Sequence, residues 1–182
     1  MSQPLKILLI EDDATDLALI KRQIYKVNPD ADIHMVSTYD LIAPALDTLT
    51  PDLVLSDYNL GDFTGLDVLS LLREKRTTAP LVFITGTLHD EELAAESILS
   101  GAQGFILKKN IHRLHEKLGP LMESALSRKR AYSNASTFQL EKSRKLLSDL
   151  DELLASFDAT EESSRQKLTK LQEELANYKS QK

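Results

Sequence analysis

The sequence predicts an α/β fold: a doubly wound domain on a five-stranded parallel sheet, followed by an α-helical coiled-coil extension. Three observations carry this expectation. Short apolar runs at residues 7–10, 33–36, 53–55, 81–84 and 105–107 alternate with stretches of helical spacing, which is the pattern of strand–helix–strand crossovers. The runs are continuous rather than alternating apolar and polar, as strands covered on both faces require. All six Gly and all six Pro lie at or before Pro120, so the last 62 residues lack the usual punctuation for turns.

Taken in order, the first run ends in Glu11, Asp12 and Asp13, after which Leu17, Ile20 and Ile24 recur at intervals of three and four. The second run is residues 33–36. The third ends in Ser56 and Asp57 and is followed by Leu66, Leu69 and Leu72 at helical spacing. The fourth ends in Thr85, with Leu93, Ile98 and Ala102 spaced more loosely behind it. The fifth ends in Lys108, and Ile111, Leu114, Leu118, Leu121 and Leu126 outline a fifth helix that Gly119-Pro120 is expected to kink or restart.

Composition narrows the class. The 182 residues hold 22 basic and 28 acidic side chains, a net charge of −6, and no Cys, which excludes a disulfide framework and a cysteine zinc site. The longest apolar run is far too short to span a bilayer, and the N-terminus enters the first run without the apolar stretch of a signal peptide. A soluble cytoplasmic protein is expected. Residues 1–120 carry 11 basic and 18 acidic side chains, which argues against nonspecific nucleic-acid binding through that part.

In sheets of this kind ligands bind outside the carboxyl ends of the strands. Glu11, Asp12, Asp57, Thr85 and Lys108 would converge on that edge. Any one such acid, taken alone, reads as a helix cap or a solvated carboxylate, and Asp13 could equally cap the first helix. Together the acids repel one another and need a cation. Oxygen donors select a hard one, with Mg²⁺ the natural candidate. Asp57 could then stay ionised and act as a nucleophile toward phosphorus, with Lys108 and the Thr85 hydroxyl steadying the transferred phosphoryl group.

At these residues the chain resembles the receiver domains of two-component response regulators. The matching segments are Ile-Leu-Leu-Ile-Glu-Asp-Asp at 7–13, Asp-Leu-Val-Leu-Ser-Asp-Tyr-Asn-Leu at 52–60, Gly-Leu-Asp-Val-Leu at 65–69, Pro-Leu-Val-Phe-Ile-Thr-Gly at 80–86 and Ser-Gly-Ala-Gln-Gly-Phe-Ile-Leu-Lys at 100–108. The resemblance implies a flavodoxin-like sheet of order 2-1-3-4-5. It also implies a phosphoacceptor Asp57 charged by a sensor histidine kinase or phosphotransfer protein. Mg²⁺ would be held by Asp12, Asp57, the Asn59 backbone carbonyl and, through water, Glu11. Thr85 and Phe105 would form a switch pair on the face of the fourth helix, fifth strand and fifth helix. Such a protein is no enzyme beyond assisting its own phosphorylation and dephosphorylation. Two departures stand out, Lys109 and Gly61 where the family usually has Pro, and they put loop geometry and phosphate lifetime in question. A haloacid-dehalogenase-like phosphatase would need an Asp where Asn59 stands. His34, His89, His112 and His115 share no spacing with the acids and read as surface or loop residues.

The expected division is a receiver domain at 1–126 and a helical extension at 127–182. With Leu147 at a heptad a position, Leu150, Leu154, Phe157, Glu161, Ser164, Leu168, Leu171, Leu175 and Tyr178 fall on successive a and d sites. Two architectures fit: a continuous parallel coiled coil from about 138 in a homodimer, which is preferred, or a hairpin restarting at an Asp158–Glu161 capping box. The leading function is phosphorelay signalling with protein association as output. The alternatives are a nucleic-acid regulator with its module in the tail, resting on Arg128-Lys129-Arg130, and a receiver-like scaffold that is never phosphorylated.

Overall fold

The computed structural model describes residues 4–86, 97–155, 166 and 169–174, and divides the chain into two compact units, Met1–Lys129 and Arg130–Lys182. In the first unit five strands, β1 (Lys6–Ile10), β2 (Asp32–Val36), β3 (Leu53–Ser56), β6 (Leu81–Thr85) and β7 (Gly104–Leu107), form one parallel sheet of order β2-β1-β3-β6-β7. This is the expected order, and each strand contains its apolar run. A short antiparallel hairpin, β4 (Asn59–Leu60) with β5 (Phe63–Thr64), lies outside that sheet.

Neighbouring residues in the strands face opposite layers, as a period of two dictates. Leu8, Ile10, Val54, Leu81 and Phe83 enter one core with α2 (Ile42–Leu49) and α3 (Gly65–Glu74). Ile7, Leu9, Leu53, Leu55, Val82 and Ile84 enter the other, against Ile20 and Ile24 of α1 (Ala14–Val27) and Leu114, Leu118, Met122 and Ala125 of the C-terminal helix, Leu114–Ala155. Leu114, Leu118, Met122 and Ala125 recur at four, four and three, one face of a helix. Residues 87–96, where Leu93 of the expected fourth helix and His89 lie, are outside the described residues.

The C-terminal helix runs through Gly119 and Pro120 without restarting. Pro120 removes the amide that would bond the Glu116 carbonyl, and both residues are exposed, so water can reach that carbonyl. Near the end of the unit Lys129 Nζ donates to the Pro4 carbonyl at 2.5 Å and to Asp52 Oδ2 at 2.7 Å, and the Lys6 amide donates to the same carboxylate oxygen at 2.8 Å. Lys129 and Asp52 are both mostly buried.

In the second unit Leu171 is buried with Leu146, and Leu150 packs against them. A straight helix would put residues 146 and 171 roughly 37 Å apart at ~1.5 Å per residue. The chain therefore folds back on itself, and the expected continuous coiled coil from about 138 is corrected to an intrachain helical pairing. Phe157, Glu161, Ser164, Leu168, Leu175, Tyr178 and the Asp158–Glu161 capping box lie outside the described residues. Among the described helices none is long and apolar enough to cross a membrane.

Candidate functional site

The site is assembled at the carboxyl edge of the sheet by residues at the ends of four strands, β1, β3, β6 and β7. Glu11 follows β1, its amide bonded to the Val36 carbonyl at 3.1 Å, and Asp57 follows β3, its amide bonded to the Ile10 carbonyl at 2.9 Å. The sheet's own ladder therefore sets these two acids side by side. Glu11, Asp12 and Asp57 each offer a carboxylate oxygen, the three within 4.8 Å of one another. Glu11 is 1% exposed and Asp57 9%, while Asp12 faces solvent.

Lys108 comes into this cluster from the end of β7. Its Nζ donates to Glu11 Oε2 at 2.8 Å, to Asp57 Oδ2 at 2.7 Å and to Asp16 Oδ2 at 2.7 Å. An ammonium has three donors, and all three are used. Burial works against the charged form of Lys108, but the bonds to Asp16, Asp57 and Glu11 outweigh it and hold the ammonium above the ordinary lysine range. Glu11 is raised as well, which for a carboxyl disfavours the charged form: burial raises it, with Lys108 pulling down and Asp57 pushing up.

The other carboxylate oxygen of Asp57 is held by backbone. Oδ1 accepts from the Tyr58 amide at 2.6 Å and the Asn59 amide at 3.3 Å, which leaves the carboxylate with one fixed orientation. Thr85 is fully buried at the end of β6, in register with Leu107, one residue before Lys108. Phe105 is half-buried and packs on the α2–α3 core. Asn59 is exposed at the start of β4, two residues beyond Asp57.

Several sequence readings resolve here. Asp13 is the N-cap of α1: its Oδ1 accepts from the Thr15 and Asp16 amides at 2.8 Å each, and those amide bonds, Asp16 first, hold its carboxyl below the usual range. Gly61 has φ +64°, with Asp12 Oδ2 3.6 Å from the place a Cβ would occupy. Proline is locked near −65°, so it cannot stand in this turn. The Lys108–Lys109 peptide is trans, and a 3₁₀ turn, Lys108–Arg113, follows directly. His34 lies exposed in β2, a surface residue as expected, whereas His115 is half-buried with its Nδ1 2.8 Å from Oε1 of the buried Gln23.

Asp16 was not foreseen. It sits in the first turn of α1, and helical side chains tilt toward the N-terminus, which returns its carboxylate to the strand ends. An acid three residues after an N-cap Asp that itself adjoins the strand end was the available signal.

The donor set suits a hard divalent cation: three carboxylates converge, and one ammonium does not neutralise them. Comparison with known proteins agrees with this placement. A family model for the response regulator receiver domain matches residues 7–119. The regulatory protein LuxO of Vibrio cholerae is 36% identical over 102 residues, 55% of this chain and 21% of that protein. The nitrate/nitrite response regulator protein NarL of Escherichia coli K12 is 29% identical over 154 residues, 76% of this chain and 70% of that one. Among solved structures, the signal receiver domain of a LuxO repressor protein from Vibrio parahaemolyticus has a TM-score of 0.60 at 26% identity, covering 70% of this chain and 97% of that one. A receiver domain from Rhodospirillum rubrum gives 0.57 at 27%, covering 66% and 94%. The chain spans about a fifth of the length of the LuxO proteins it matches. Sheet order, matched span and relatives agree, and the chain belongs to the response regulator receiver domain family of two-component signalling.

Proposed function

We propose that the protein is a phosphorelay response regulator that accepts a phosphoryl group on Asp57 from a histidine kinase or phosphotransfer protein and reports it by protein association in the cytoplasm. The observation that carries this reading is the 2.7 Å bond from Lys108 Nζ to Asp57 Oδ2 inside a cluster of three carboxylates.

An Asp57 carboxylate oxygen attacks phosphorus of the donor's phosphohistidine, forming a P–O bond as the P–N bond breaks, and the imidazole nitrogen keeps the electron pair. Lys108 places positive charge beside the phosphoryl oxygens, and the Thr85 hydroxyl supplies a hydrogen bond to them. Glu11, Asp12 and Asp57 would hold Mg²⁺, with the Asn59 carbonyl beside them, and the ion would compensate the charge of the acids and of the phosphoryl group. Water attack on phosphorus reverses the modification, releasing phosphate and the free carboxylate. Beyond this self-directed chemistry the protein is no enzyme. Thr85 and Phe105, on neighbouring strands, would pass the change to the face of β7 and the C-terminal helix.

Association is read through the second unit as well. Leu140 and Leu147 are 60% and 62% exposed one heptad apart, and Arg144 and Asp151 stand on the same side of that stripe. Two copies laid antiparallel about Leu147 would set each arginine against the other's aspartate, so a homodimer is the partner this face suits.

Calorimetric titration with beryllofluoride at saturating Mg²⁺ tests the phosphoacceptor role. Wild-type protein should bind it and Asp57→Asn should not. A wild-type protein that takes up no beryllofluoride is a constitutive scaffold instead.

A further inference from the structure

Lys108 has a third partner that the metal cluster does not include. Asp16 Oδ2 lies 2.7 Å from Lys108 Nζ, as does Asp57 Oδ2, so the two carboxylate oxygens are at most about 5.4 Å apart. Asp16 is about one-third exposed, whereas Lys108 and Asp57 are nearly buried. It therefore approaches the ammonium from the solvent side, on the first turn of α1, where Asp13 fixes its backbone by accepting from its amide.

The arrangement has consequences for charge. A phosphoryl group on Asp57 brings more negative charge to a site already holding Glu11, Asp12, Asp13 and Asp16 around a single lysine. To stabilise it, Lys108 must turn a donor from a carboxylate toward the new oxygens, since it has none spare. Glu11 and Asp57 are cation donors themselves, and binding a cation lessens their pull on the ammonium. Asp16 stands outside that donor set, so its hold on Lys108 persists and its own charge opposes the incoming anion. For a cation the sign is opposite: each added carboxylate favours it.

We infer that Asp16 is a positioning residue that tunes the site through Lys108, weakening phosphoryl occupancy at Asp57 and strengthening divalent-cation binding. This inference rests on the phosphoacceptor reading of Asp57. Removing the Asp16 charge should then lengthen the life of the phosphoryl group and tighten the binding of its mimics, at some loss of metal affinity.

The test uses full-length protein and two titrations, Mg²⁺ alone and beryllofluoride at saturating Mg²⁺, on wild type, Asp16→Asn, Asp16→Ala and Asp16→Glu. Asp16→Asn and Asp16→Ala should bind beryllofluoride about threefold to tenfold more tightly and Mg²⁺ more weakly by a similar factor, the size of one screened unit charge at a part-exposed site. Asp16→Glu should stay near wild type. The opposite signs matter, because loosening of α1 would weaken both ligands, and that outcome overturns the proposal. So does a change below twofold in both constants. If wild type takes up no beryllofluoride, the phosphoacceptor reading fails, and the Mg²⁺ arm still decides the role of Asp16: an affinity unchanged in Asp16→Asn ends it.

Discussion

Gly65 is tightly packed behind Asp57. A Cβ there would come within 2.3 Å of Phe83 Cε1, and Phe83 is fully buried with its ring edge-on to Tyr58 at 5.6 Å. The Gly65 amide also bonds the Tyr58 carbonyl at 2.7 Å. Gly65→Ala must push Phe83 aside, which should cost about 1–3 kcal/mol of stability in urea unfolding and weaken beryllofluoride binding through Tyr58, whose amide orients Asp57. An unchanged midpoint would mean that Phe83 has room to yield. Glu11, Asp12, Asp57 and Lys108 were legible in the sequence because each stands within two residues of the end of an apolar run, and a parallel sheet brings run ends together whatever else the chain does. Asp16 was not, since its arrival depends on how the first helical turn is capped and tilted. The same holds for Gly61: only the backbone reveals a left-handed turn beside Asp12 in place of the family's proline.

At the scale of elements, the five strands and their order followed from pattern and resemblance, whereas the β4–β5 hairpin did not. Two strands of two residues each carry no period to read. The tail shows a different limit. A heptad stripe records that a helix must bury one side, not whether the covering residues come from another chain or from its own. Leu146, outside the a and d seam, turned out buried, and Leu147, on it, exposed. The chain contains no Cys, so a Leu146→Cys/Leu171→Cys pair treated with a short bis-maleimide should link within one chain and migrate as monomer under denaturing electrophoresis. Linked dimers as the main product would restore the continuous interchain coil.

For the molecule as a whole, the acid cluster lies at one end of the sheet and the Lys129 contacts at the other. Asp52 and Asp57 bracket β3, five residues apart, each gripped by a lysine from a later part of the chain. The expected boundary at 126 cuts between the buried Ala125 and Lys129; the structural boundary falls after Lys129. A fragment ending at 125 leaves the mostly buried Asp52 carboxylate with only the Lys6 amide as partner among the described residues, and an ion deprived of its partner costs more than the pair was worth. Fragment 1–125 should therefore melt below fragment 1–129 by several degrees, for a difference of about 1–2 kcal/mol, and equal melting temperatures would show the contact to be idle. Lys129 thus has a practical meaning for anyone dissecting such proteins. It belongs by sequence to a basic run that looks like the beginning of the tail, yet it packs with the first unit, so a cut placed by similarity alone would yield a weakened domain whose faults could be mistaken for an effect of losing the tail.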